Sequence, residues 1–158
     1  GDEHVTAGMI VVENGRFLKR EYRSFTIKST DGANDYGAMR ETLERRFSHL
    51  SDESGAFATA PDLILLDGGE EHLHVALDVM RKAGVDIPAT GMVKDDYHKT
   101  RALVSVDGEV SIARERDVYG FIYRIQEEVH RFTVSKMTHA KRKTYRTSTL
   151  EKINGIGR

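Results

Sequence analysis

Ala60-Pro61-Asp62-Leu63-Ile64-Leu65-Leu66-Asp67-Gly68-Gly69 decides how the chain is read. Four consecutive apolar residues between a proline and two glycines describe a strand buried on both faces. Asp67 stands at its C-terminal end, where a parallel sheet opens to solvent and α/β proteins hold their ligands. Gly68 and Gly69 permit a sharp turn and keep side chains away from the carboxylate. Leu73, Leu77 and Met80 recur at helical spacing and predict a helix over 70–83, with Gly84 as its stop. The positive end of that helix points at Asp67. Ile87 to Val93 predicts another short buried strand, ending at Lys94. A strand–helix–strand unit of this length is right-handed, which makes its two strands parallel.

Upstream, Val5 to Val12 is rich in strand formers, and Glu13-Asn14-Gly15 is a hairpin turn in which Gly15 supplies a positive φ. Residues 19–28 return as a second strand, with Phe25 and Ile27 alternating with Thr26 and Lys28, so one of its faces is wet. Asp31 to Asp35 is turn and helix-cap chemistry. Tyr36, Met39, Leu43 and Phe47 then predict an amphipathic helix over 35–48, with Arg40, Glu41, Glu44, Arg45 and Arg46 on its solvated face. Residues 49–60 read as a surface loop.

Downstream, the polar run Lys94 to Arg101 opens on the same sheet edge as Asp67. Ala102 to Val106 and Glu109 to Ile112 form a small hairpin around Asp107-Gly108. A long helix over 117–136 follows, with Val118, Phe121, Ile122, Ile125, Val129 and Phe132 as its core stripe and His130 beside it. The order β, β, α, β, α, β, hairpin, α is that of a ribonuclease-H-like fold whose first strand is missing from this chain. The expected architecture is a mixed α/β sheet flanked by helices.

Composition sets the bounds. A chain of 158 residues is one domain's worth, and 39% hydrophobic with 31% charged residues is ordinary globular composition. No apolar run approaches the roughly 18 residues of a membrane span, and no signal peptide opens the chain. With no cysteine, disulfides and thiolate metal sites are excluded, which fits a reducing cytosol. The net charge of −1 does not mark a basic nucleic-acid binder. The basic residues Lys136, Lys141, Arg142, Lys143 and Arg146 are nevertheless gathered in a stretch with no acidic residue.

Three features carry chemistry: Asp67, the Lys94-Asp95-Asp96 loop and His130. Singly, each has a bland explanation: turn chemistry, a solvated loop, a structural histidine beside a core stripe. Jointly they are aimed at one sheet edge. A strand-end carboxylate with an imidazole from a packed helix suits a hard divalent ion that keeps water or phosphate ligands. Phosphodiester hydrolysis uses those parts, together with cations against the backbone. Such a site ordinarily has at least two carboxylates, and the residues themselves place only Asp67.

Several segments resemble the C-terminal endonuclease domain of the UvrC family, the incising component of the bacterial ABC excinuclease, in order along nearly the whole chain. They are Val11 to Gly15, Tyr22 to Phe25, Asp35 to Met39, Asp62 to Gly69, Gly91 to Asp96 with His98 to Val104, and Arg124 to Phe132. The resemblance implies a ribonuclease-H-like fold and a metal-dependent incision on the 5′ side of damage in double-stranded DNA, during bacterial nucleotide excision repair in the cytoplasm. It implies Mg²⁺ or Mn²⁺ as cofactor, damaged DNA as substrate, and the UvrA–UvrB system, with UvrB, as partner through the longer protein. The family's site is an Asp, Asp, His triad. Asp67 matches the second aspartate and metal ligand, and His130 matches the catalytic histidine. The first aspartate belongs to a strand expected just before Gly1, and Asp2 does not replace it. This chain alone is therefore expected to cleave little or not at all.

Lys94, Lys99 and Arg101 are the candidate contacts to DNA phosphates. Where the family commonly has Lys-Gly after the Asp-Gly-Gly motif, this chain has Glu70-Glu71, an anionic pair that should weaken phosphate attraction there. Residues 1–136 are expected to form the nuclease-type domain. Residues 137–158 are expected to be a basic linker and the start of a helix-hairpin-helix domain, marked by Leu150 to Gly157. Two alternatives stay open: a non-catalytic DNA- or protein-binding module on the same fold, and a different ribonuclease-H-like nuclease such as a junction resolvase.

Overall fold

A computed structural model describes residues 4–28, 35–50 and 59–137. In chain order its elements are β1 (His4–Met9), β2 (Val12–Glu13), β3 (Arg16–Phe17), a 3₁₀ turn (Lys19–Glu21), β4 (Arg23–Lys28), α1 (Asp35–Phe47), β5 (Ile64–Leu66), α2 (Glu70–Ala83), β6 (Ala89–Lys94), β7 (Thr100–Ser105), β8 (Gly108–Ser111) and α3 (Arg116–Lys136). The expected basic linker and helix-hairpin-helix opening fall almost entirely on 138–158, outside the described residues, as do 51–58 of the expected surface loop.

The central sheet has the order β5-β6-β7-β8, with β5 and β6 parallel and the remaining pairs antiparallel. β1 and β4 pair antiparallel in a sheet of two, from His4 opposite Lys28 to Met9 opposite Arg23. Among the described residues, β5 and β1 are each paired along one edge only. The parallel strand–helix–strand unit expected around Asp67 is present.

Side-chain alternation along the central sheet separates two cores. Ile64, Leu66, Ala89, Val93 and Val104 pack with Leu43 and Phe47 of α1 and with Leu73, Ala76, Val79 and Met80 of α2. Leu65, Met92 and Leu103 project to the other side, where Ile122, Ile125 and Tyr119 of α3 meet them along with Ile112. The domain is thus three layers, α1 and α2 on one face and α3 on the other. α3 also runs across to β1, where Phe132 and Thr133 lie against Gly8.

α2 has the expected limits. Gly84 caps it in the left-handed conformation (φ 68°), and its amide reaches back to the carbonyls of Arg81 and Met80. Arg40 of α1 bonds Asp78 of α2 at 2.7 Å, and Arg81 and Lys82 converge on the same carboxylate. Arg40, then Lys82 and Arg81, hold the Asp78 carboxyl well below the usual carboxylate range. The polar face expected on α1 is therefore partly an inter-helix contact. Tyr36, expected in its apolar stripe, is 45% exposed and lies over the His72 ring instead.

The two long strands expected at the N-terminus are broken up. β1 stops at Met9, and a short β2–β3 ribbon turns through Asn14 (φ 51°) and Gly15 (φ 78°). Lys19-Arg20-Glu21 forms a 3₁₀ turn because three successive charged residues offer no inward-facing alternate; the turn swings Tyr22 into the core. From Arg23 the expected alternation holds, with Phe25 and Ile27 buried and Ser24 and Thr26 exposed. The ladder of β6 begins at Ala89 rather than Ile87, because Pro88 has no amide to donate. Its carbonyl still accepts from the Ile64 amide at 2.9 Å.

Candidate active site

Asp67 follows the last residue of β5, two positions beyond Leu65, and Lys94 ends β6, two positions beyond Met92. Leu65 and Met92 both face α3, so alternation turns Asp67 and Lys94 to that side as well. They meet: Lys94 Nζ donates to Asp67 Oδ1 at 2.7 Å. The lysine side chain is 5% exposed and the aspartate 24% exposed. A cation this deeply buried persists because it is paired, and removing either partner would strand the other charge.

The turn that carries Asp67 is wedged against β6. A Cβ added to Gly91 would lie 2.5 Å from the Gly68 carbonyl oxygen and 3.0 Å from that of Gly69. Only a glycine lets the two backbones approach so closely. The Gly69 carbonyl also accepts the Leu73 amide at 3.0 Å, which couples the turn to the first turn of α2. Glu70 and Glu71 occupy that turn, and Glu70 lies 3.8 Å from His74. Acidic residues there are stabilised by the helix macrodipole, which accounts for both without a ligand.

His130 comes from α3, the layer that Asp67 and Lys94 face. It stands one turn beyond Gln126, which is bonded to the start of β7, and three residues before Thr133, which lies beside Gly8 of β1. Partial burial pushes its imidazole below the ordinary histidine value, with the Glu127 carboxylate opposing. The shift favours the uncharged ring at neutral pH.

The remaining candidates lie on the loop and strand that follow Lys94. Lys99 is exposed, with Nζ 5.7 Å from the centre of the Tyr123 ring. Arg101 is exposed and bonds Glu109 across the β7–β8 hairpin at 3.1 Å. Lys94 differs from both, since its ammonium turns inward to Asp67. The matching offsets from Leu65 and Met92 were the sequence signal for that contact.

A carboxylate at a strand end has the right chemistry for Mg²⁺ or Mn²⁺, which are often held by one or two carboxylates with water and phosphate completing the shell. The position of Lys94 indicates that Asp67 is aimed where a cation is stable. Among the described residues no group of three or more His, Cys, Asp or Glu side chains is arranged to hold a metal ion. Asp67 therefore fits the role of one ligand, not of a closed site.

Three layers around a mixed sheet, with an acid at the carboxyl end of a parallel strand, define a ribonuclease-H-like α/β domain. A family model described as the UvrC RNAse H endonuclease domain matches residues 1–134. UvrABC system protein C of Clostridium novyi (strain NT) is 44% identical over 161 residues, covering 94% of this chain and 26% of the relative. The same-named proteins of Clostridium beijerinckii and Caldanaerobacter subterraneus subsp. tengcongensis are each 42% identical, over 94% and 99% of this chain and 26% and 27% of theirs. The chain belongs to the UvrC family and corresponds to its RNase H endonuclease domain. It spans about a quarter of the length of the curated relatives it matches.

Proposed function

We propose that this chain is the nuclease domain of a longer protein that cuts damaged double-stranded DNA on the 5′ side of the lesion in bacterial nucleotide excision repair. The observation that carries the reading is the Asp67–Lys94 pair at the strand ends, and His130 belongs to α3, the helix packed on that side of the sheet. Family membership supplies the reaction class. In this reading Asp67 would hold Mg²⁺ or Mn²⁺, which would bind the scissile phosphate and stabilise its developing charge. His130, neutral at physiological pH, orients the attacking water or takes its proton. Lys94 fixes the Asp67 carboxylate. Lys99 contacts backbone phosphate, and Arg101 does so by exchanging Glu109 for it; both act mainly on affinity and its salt dependence. The partner in the longer protein is the UvrA–UvrB system, with UvrB, in the bacterial cytoplasm.

No described helix is long and apolar enough to cross a membrane, which is compatible with a DNA substrate. The competing reading, a non-catalytic DNA-binding module, is favoured by the lack of a three-ligand cluster among the described residues. Nicking of a lesion-containing duplex by the full-length protein with Mn²⁺ separates the two. Asp67→Asn is expected to lower the rate by roughly a thousandfold, within the range of losses for a group acting on the reacting atoms. Wild-type nicking in that variant would rule out Asp67 as a catalytic residue.

A further inference from the structure

Gln126 is a buried polar residue, at 8% exposure in the middle of α3. Its amide is fully engaged with the loop that joins β6 to β7. Oε1 accepts from the Thr100 amide at 3.1 Å and from Thr100 Oγ1 at 2.7 Å, and Nε2 donates to the His98 carbonyl at 2.6 Å. Two donors at one end and a carbonyl at the other fix which way the amide points.

The loop it grips is built to stay put. Asp95 Oδ1 accepts the amides of Tyr97 at 2.8 Å and Lys99 at 3.0 Å, and the Asp95 amide donates to the Lys99 carbonyl at 2.8 Å. His98 sits at φ 64°, a left-handed conformation that is costly for a non-glycine residue and persists only when its surroundings hold it. The same loop begins where Lys94 bonds Asp67.

His130 lies four residues along α3 from Gln126, on the same side of the helix and about 6 Å further along its axis. Apolar contacts made by Ile122 and Phe132 press α3 onto the sheet but are non-directional, so its freedom to slide or roll is limited by directional bonds, one of them from Tyr22 to Glu128 at 2.8 Å. Three hydrogen bonds from one amide to two backbone groups and a hydroxyl remove that freedom. We propose that Gln126 is a positioning residue that sets the place of His130 relative to Asp67 and Lys94, by locking α3 to the loop leaving β6. The proposal rests on the nuclease reading of the site.

The test measures nicking of a lesion-containing duplex with Mn²⁺ by the full-length protein carrying Gln126→Met, His130→Ala or both. Methionine keeps the volume and loses every bond. Gln126→Met is expected to lower the rate at saturating DNA by about tenfold to a hundredfold, the effect of a displacement near 1 Å. DNA affinity should stay within about twofold, because no phosphate contact is removed. In the His130→Ala background the same substitution should cost less than about twofold, since its effect passes through the imidazole. An equal proportional loss in both backgrounds, or no loss in the first, overturns the proposal. A His130→Ala protein that nicks like wild type overturns the nuclease role of His130 itself, which is a separate failure. Should Gln126→Met not fold, Thr100→Val removes one of the three bonds alone. It is expected to show a smaller loss with the same dependence on His130, and an unchanged rate overturns the proposal.

Discussion

The two halves of the site are held by different physics. On one side, Asp67 and Lys94 are 27 residues apart and belong to a single β5–α2–β6 unit, where backbone rests on backbone at Gly68 and Gly91. On the other, His130 arrives from a distant helix that rests on Gly8 through Phe132 and Thr133 and is also placed by directional side-chain bonds: Gln126 to the β6–β7 loop, and Tyr22 to Glu128, 106 residues apart. A part held by close packing fails when atoms are added to it. A part held by polar contacts fails when atoms are taken away. The distinction predicts which substitutions damage which half.

The largest effect should come from Gly91→Ala. One methyl group directed at the Gly68 carbonyl must move the Asp67 turn or bend β6, and overpacking of this kind costs about 1–3 kcal/mol. Urea denaturation of the chain measures the loss, and an unchanged midpoint would show that the turn yields freely. Tyr22→Phe probes the helix side by subtraction. Its hydroxyl donates to Glu128 Oε2 at 2.8 Å while the ring packs edge-on against Phe132, 5.0 Å between centroids. Burial and then Glu128 push the Tyr22 phenol well above its ordinary value, so it stays a donor across the accessible pH range. Losing that donor should cost about 0.5–1.5 kcal/mol, with the ring contact kept and Arg131 still bonded to Glu128 at 2.7 Å. The same urea titration reads it, and a midpoint equal to wild type would mean that the hydroxyl holds nothing.

The smallest effect concerns acid. Because the folded His130 binds its proton less readily than an unfolded histidine, it makes no difference to stability well above the ordinary value near 6.5. As pH falls through that value the unfolded chain takes up the proton first and the fold loses stability, until the depressed folded value is passed. Thermal melts in a metal chelator at pH 7.5 and 5.5 should show part of this acid sensitivity missing from His130→Ala. An identical pH dependence in both proteins would mean that His130 carries no such penalty.

The β5–α2–β6 unit was legible because its signals are local and agree: an apolar run, a Gly-Gly turn, a helical stripe and a terminal glycine. Asp67 came with it. The inward turn of Lys94 was less visible, since a lysine in a polar run reads as a solvent cation unless its offset from Met92 is compared with that of Asp67 from Leu65. Gln126 gave no signal at all. A glutamine within an apolar stripe looks like the edge of the stripe, and its partners on the β6–β7 loop are non-local. Tyr36 and Val118 show the opposite error. Both have the period of a core residue, yet they stand 45% and 44% exposed, at the first turns of α1 and α3 where the helices overhang the sheet. The hairpin turn at Asn14-Gly15 was legible, whereas the breaks in its strands after Met9 and before Arg23 were not, since strand propensity runs on through Val11 and Val12.

The buried Lys94 ammonium makes Asp67 an ion exchanger that carries its own counter-ion. A dication held there as proposed would meet a carboxylate already neutralised, so its net gain would be the difference between two cations and not the full attraction of a bare anion. Salt in the medium does little to loosen the resident charge, because a group 5% exposed is beyond effective screening.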